Sequence, residues 1–309
     1  MTGQSDRRDF RGHAGQTLDF SWPGKARVAV SVVVNFEEGA ELSIADGDER
    51  NEAVYEVADL VRDRHDPCME SHFEYGTRAG YGRIAALLGE YGVPATFSTC
   101  GRAAERSPWL VQDAARRGHE ISCHGWRWES HALMEEEEER RVIARTVSTL
   151  TQLTGTRPVG WHTRSAPSAN TRRLLLEHGG FLYDSDAYND DLPYYDRSQG
   201  RPHLVLPYSF DTNDMHFHQG NQRFTSAADF ANYVNDAADW LWREGAETPK
   251  MLSIGLHLRM IGRPGRMAGL EAVLRHLRDK GGFWFARRAD IARFWLQACP
   301  PERQMELSA

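Results

Sequence analysis

Short apolar runs rich in β-branched residues alternate along the chain with stretches whose apolar positions recur every three or four residues. The first run, residues 27–34, holds Val28, Val30, Val32, Val33 and Val34 and reads as a buried strand. Residues 78–91 read as a helix closed by Gly92 and Pro94, and 95–100 as the next strand. Ser107 and Pro108 open another helix, as N-cap and first-turn proline, and Gly118 ends it. Strand 119–123 follows, then a long helix over 135–153 with Ile143, Val147 and Leu150 on one face. Strand 159–162 precedes a helix that Asn170 caps and Gly179 ends. Further strands are predicted at 181–183, 204–207, 251–257 and 283–285. Helices are predicted from Ser226 to Gly245, around Leu270, Val273, Leu274 and Leu277 up to Gly281, and over 289–297.

Repeated strand–helix units imply a parallel sheet covered by helices. Their number suits an α/β fold of the closed (β/α) barrel kind, with an open doubly wound sheet as the alternative. No linker and no internal repeat divides the chain. The expectation is a barrel over residues 26–300, an N-terminal extension over 1–25 and a tail over 301–309. Two long segments, 40–74 and 184–204, follow strands and should lie over the active-site face. Some helix is expected within the first, around residues 52–62.

Composition narrows the function. A chain of 309 residues with 40% hydrophobic residues, 26% charged residues and a net charge of −7 is ordinary for a globular protein and unlike a nucleic-acid binder. Glu135 to Glu139 precede Arg140, Arg141 and Arg145, an order that suits a helix start. The polar first residues lack the apolar core of a signal peptide, and no run approaches a membrane span. Cys68, Cys100, Cys123 and Cys299 match no zinc knuckle or disulfide framework. A cytoplasmic location, a small-molecule substrate and no membrane or nucleic-acid partner are the expectations. Cys123, beside His124, reads as a buried apolar residue before a nucleophile.

Polar residues at the C-terminal ends of barrel strands are the default site candidates. Glu37 and Glu38 follow the first strand, and two close carboxylates raise each other's proton affinity, one route to a general base. His124 ends the third strand and His257 the strand that starts at Met251. His162 and Arg164 follow the fourth, Asp184 and Asp186 the fifth, and Arg259 lies just past His257. The histidines at 13, 65, 72, 119, 131, 178, 203 and 276 read as loop or helix surface. His216 and His218 alternate and could face a pocket.

These residues carry a resemblance. Asn35-Phe36-Glu37-Glu38-Gly39, Glu74-Tyr75-Gly76-Thr77-Arg78-Ala79-Gly80, His124-Gly125, Asp211-Thr212-Asn213-Asp214-Met215 and Met251-Leu252-Ser253-Ile254-Gly255-Leu256-His257 resemble the polysaccharide deacetylase (NodB-homology) superfamily, and within it the metal-independent allantoinase branch. The resemblance implies a distorted barrel of about seven parallel strands and hydrolysis of a non-peptide C–N bond. In the deacetylases a Phe-Asp-Asp-Gly motif supplies a base and a metal ligand, and Glu37 and Glu38 stand there. A His-x-x-x-His motif supplies further ligands, and His124 and Trp128 stand there. The general-acid histidine matches His257. The expected catalytic set is therefore Glu37, Glu38, His124 and His257. Trp126, Trp128, Arg164, Arg259 and Asn213 are expected against substrate. Catalytic zinc normally takes three protein ligands, and Glu38 and His124 make two, so no resident cofactor is expected. Zinc or another divalent metal, with help from His162, is the alternative. Residues 161–171 depart from the allantoinase pattern, which leaves open another cyclic amide, an imide or an N-acetyl sugar as substrate. A non-catalytic binding protein on a decayed scaffold is the remaining reading. The resemblance also implies a homo-oligomer, such as a tetramer.

Overall fold

The computed structural model describes residues 8–14, 18–53, 59–218 and 223–302. Its strands are β1 (Val28–Phe36), β2 (Ala95–Thr99), β3 (Glu120–Cys123), β4 (Gly160–Trp161), β5 (Tyr183–Asp184), β6 (Tyr194–Asp196), β7 (His203–Val205), β8 (Lys250–His257) and β9 (Phe283–Phe285). Its helices are α1 (Pro67–Tyr75), α2 (Tyr81–Tyr91), α3 (Gly101–Arg106), α4 (Pro108–Arg116), α5 (Glu136–Thr154), α6 (Thr171–His178), α7 (Ala227–Glu244), α8 (Pro264–Lys280) and α9 (Arg288–Ala298).

β1 is buried along its whole length, as suits a Val-rich strand with parallel neighbours on both edges. The sheet runs β6-β7-β5-β4-β3-β2-β1-β8, and β9 takes the edge of β1 at Val28–Val30 that β2 takes further along. Every pairing is parallel except β6 with β7. The sheet curls into a distorted barrel. The segment after β7 draws it toward closure through a parallel bridge between Asn213 and Gly255, where Gly255 N donates to Thr212 O at 3.0 Å. Because strands and helices alternate, the strand ends that carry polar residues collect at one end of the barrel.

The main apolar core lies between the sheet and helices α2, α4, α5, α7 and α8. A second cluster joins Leu18 and Trp22 to Ile291 and Trp295 on α9. Trp22 is 1% exposed and its indole donates to Lys250 O at 2.8 Å. Leu18, Phe20 and Trp22 thus pack against the body of the protein.

Ser226 forms the capping box expected of an N-cap serine. Ser107 and Asn170 stand at N-cap positions, but neither side chain makes a capping bond. The helix expected around 52–62 lies partly outside the described residues. Its described part is irregular, and the helix of that segment is α1 instead, where Asp66 Oδ1 accepts from Met69 N at 3.1 Å. Three histidines read as surface are buried. His119 Nδ1 accepts from Ala95 N at 3.1 Å, His131 pairs with Glu139 at 3.1 Å, and His203 pairs with Asp184 at 3.0 Å. Among the described residues no helix is long and apolar enough to cross a membrane. All four cysteines are free, and burial pushes the Cys123 thiol well above its usual range.

Candidate active site

Glu37, Glu38, His124, His257 and Arg259 meet where β1, β3 and β8 end. Glu37 is 1% exposed, His124 3%, His257 5% and Arg259 0%, so the charges face one another inside the protein. The Glu37 carboxylate is the hub. Its Oε2 accepts from Arg259 Nη1 at 2.8 Å, and its Oε1 lies 3.3 Å from His124 Nε2 and 3.5 Å from His257 Nε2. Glu38 stands behind. Its Oε1 accepts from Arg259 N at 3.2 Å and lies 3.4 Å from Arg259 Nη1, while its Oε2 accepts from Glu37 N at 3.2 Å.

Each imidazole is held from its other side. His124 Nδ1 lies 2.8 Å from His162 O, an acceptor that requires the proton on Nδ1. His257 Nδ1 lies 2.6 Å from Asp214 Oδ1, and Asp214 Oδ2 accepts from His257 N at 2.7 Å and Ile261 N at 3.1 Å. Asp214 is fully buried on a short 3-10 turn opened by Asn213. Asp214 was missed in sequence, although it stands inside a motif that carries the family resemblance. Asn213, expected against substrate, faces inward: Nδ2 donates to Tyr208 OH at 3.1 Å and Oδ1 accepts from Met215 N at 2.9 Å.

The electrostatics divide the pair into acid and base. Burial pushes the Glu37 carboxyl up, but Arg259 and His257 outweigh it and hold the group well below the usual carboxylate range. Burial pushes His257 down, but Glu37 and Asp214 outweigh it and raise the imidazole to about 9. At neutral pH Glu37 is therefore an anion and His257 a cation. Burial raises Glu38 despite Arg259. His162 is held well below its usual range by burial and by His124, and its Nε2 lies 3.1 Å from Tyr188 OH.

Trp128 walls the site. The Arg164 guanidinium stacks on its ring at 3.5 Å, and that of Arg259 lies 5.1 Å away. Arg164 is committed elsewhere: Nη1 and Nη2 donate to Glu52 at 3.1 Å each, and Nη1 donates to Trp128 O at 3.0 Å. Trp126 lies under Arg145 at 3.5 Å and packs on Gly101. Arg259 Nε and Nη2, by contrast, are buried without a hydrogen-bond partner.

The residues present do not fit a catalytic metal ion. Trp128 has no ligating atom, and among the described residues no three His, Cys, Asp or Glu side chains are grouped to hold one. The decisive point is charge. Arg259 Nη1 already stands between both carboxylates, at 2.8 Å and 3.4 Å, so an ion held by them would press against a guanidinium.

The polysaccharide deacetylase family profile matches residues 62–180. A putative polysaccharide deacetylase of Schizosaccharomyces pombe is 37% identical over 94% of this chain and 97% of its own length. Two crystal structures superpose with a TM-score of 0.89. One is a probable polysaccharide deacetylase from Pseudomonas aeruginosa PAO1, 45% identical over 95% of this chain and 99% of its own. The other is Puue allantoinase, 44% identical over 95% of this chain and 98% of its own.

Proposed function

The chain belongs to the polysaccharide deacetylase family, and we propose that it is a hydrolase that opens a small cyclic amide or ureide, allantoin among them. The likeness to Puue allantoinase supports the ring-opening reading. The observation that carries it is the Glu37–His257 pair, 3.5 Å apart and in opposite charge states. The near-complete burial of both residues favours a small substrate over a polymer.

In this reading Glu37 takes a proton from water as its oxygen attacks the ring carbonyl carbon. His124, whose Nε2 lies 3.3 Å from Glu37 Oε1, helps to place the water. The carbonyl π electrons move to oxygen, and the unpartnered N–H groups of Arg259 are the donors available to that developing charge. His257 then gives its Nε2 proton to the ring nitrogen as the C–N bond breaks. One molecule leaves, with a new carboxyl group at one end and a new N–H at the other. Asp214 keeps His257 oriented and cationic. No step is routed through a metal.

The test is a panel of allantoin, hydantoin, succinimide and an N-acetylglucosamine oligomer, scored for ring opening and for acetate release. Ring opening without acetate release is expected. Acetate released from the sugar, with every ring compound intact, would establish the deacetylase alternative. No turnover of any substrate by a protein that still binds one would favour the binding-protein reading. We also propose a homo-oligomer, to be read by light scattering.

A further inference from the structure

The string Glu74-Tyr75-Gly76-Thr77-Arg78-Ala79-Gly80 gives no side chain to this chemistry, yet it lies against the site. Between α1 and α2 the backbone widens into one π-helical turn, Gly76–Gly80. Such turns recur at functional sites because they redirect the residues around them. A Cβ on Gly76 would overlap Glu38 Oε1 and lie 2.6 Å from Cδ and 2.7 Å from Cγ of the same side chain. A Cβ on Gly80 would overlap the carbonyl oxygen of Leu258, the residue before Arg259, and one on Gly262 would lie 2.5 Å from Gly80 Cα.

Backbone conformation does not require these glycines. Gly76 has φ −57° and ψ −49°, and Gly80 has φ −64° and ψ −50°, ordinary right-handed helix. What matters is the missing Cβ. Glu38 is held in place, since it is 2% exposed and pinned by Arg259 N, Arg259 Nη1 and Glu37 N. The turn therefore touches the site twice, behind one carboxylate and beneath the backbone that carries the arginine.

We propose that Gly76 is a positioning residue for the hydrolysis: by bringing helix backbone into contact with Glu38, it fixes that carboxylate against Arg259 and so sets the charge that faces Glu37. The proposal rests on the ring-opening reading above. Gly80 and Gly262 hold the segment that carries Arg259 by the same close approach.

The experiment is a double-variant cycle of Gly76→Ala and Glu38→Asp on the full chain, with Gly82→Ala as control. A Cβ on Gly82 meets nothing within 4 Å. Gly76→Ala should lower kcat about 100-fold, the scale of an ångström of misplacement, with KM little changed. It should lower the melting temperature by about 2–6 °C, as overpacking does in a chain of this size. Aspartate at position 38 is one methylene shorter, which draws the carboxyl back from the new methyl that would otherwise overlap Oε1 and crowd Cδ and Cγ. The double variant should therefore lose less than the two single variants together, by about tenfold in turnover, and show the same sparing in melting. Gly82→Ala should match the wild type in kcat and KM and melt no lower, since alanine favours the helix. Wild-type behaviour in Gly76→Ala, or strictly additive losses in both readouts, would overturn the proposal. Wild-type protein that opens no ring compound would sink the functional reading instead, and the melting cycle would still report whether the two positions meet.

Discussion

Arg259 and Arg288 are both fully buried arginines of the barrel, and their surroundings are opposites. Arg288 enters the interior from the start of α9 and is met by neutral oxygens. Nε donates to Ser185 Oγ at 3.0 Å, Nη1 to Ser253 Oγ at 3.3 Å and Ser31 Oγ at 3.4 Å, and Nη2 to Leu206 O and to Pro207 O at 3.0 Å. Its charge is tolerated more than wanted, and burial pulls the guanidinium below its usual range. Arg259 faces two carboxylates that outweigh burial and raise it, while its Nε and Nη2 stay unpartnered. Arg288 is satisfied and braces the fold, whereas under the proposed function the leftover donors of Arg259 are there for a substrate's charge.

The sharpest way to break this contrast starts at Glu37. Glu37→Gln keeps the shape and removes the base, so kcat should fall about 100- to 10,000-fold with the fold intact by circular dichroism. Arg259→Met should cost about 100- to 1000-fold. Without its main opposing charge, Glu37 rises toward its ordinary value, so the acidic limb of the pH–rate profile should move up. Arg288→Met should do the reverse. The denaturation midpoint should fall by the equivalent of about 2–5 kcal/mol, because buried acceptors lose their donor, while the pH profile of the folded fraction stays put. An Arg288 variant that is stable but inactive would erase the distinction.

The wild-type profile follows from the same charges. Glu37 is depressed, so activity and its share of stability are present above its ordinary value and are lost only as pH falls through its lower folded value. His257 is raised to about 9, so its proton, and the stability it contributes, is fully present below about 6.5 and lost as pH rises through about 9. Asp214→Asn removes one of the two groups that lift His257. The basic limb should move down in pH, and kcat at pH 8 should fall about tenfold. Arg164→Ala should have the smallest effect, a few-fold change in KM, since that guanidinium ties Glu52 to the Trp128 wall.

Much of this was legible in the chain. The valines of β1, read against the strand–helix alternation, placed Glu37 and Glu38 at a strand end, and the same logic placed His124, His257 and Arg259. The unseen parts share a cause: the groups that hold them meet only in the folded chain. Arg288 lies just before the helix expected over 289–297 and nothing in the sequence marks it as buried, because its interior acceptors come from β1, β8 and residues 185–207. His131 and His203 read as surface because Glu139 and Asp184, which permit their burial, reach them only through the fold. α1 buries only Met69 and Phe73, too thin a stripe to announce a helix. In the motif at 211–215 the structure puts Asp214, not Asn213, against His257.

The Arg259 guanidinium stands between Glu37 and Glu38, in the space an ion held by both carboxylates would need. Turnover of purified enzyme on the best ring compound, before and after exhaustive chelation and then with added zinc, tests that most directly. The expected result is one rate in all three states. Activity that disappears on chelation and returns with zinc would contradict the account at its centre.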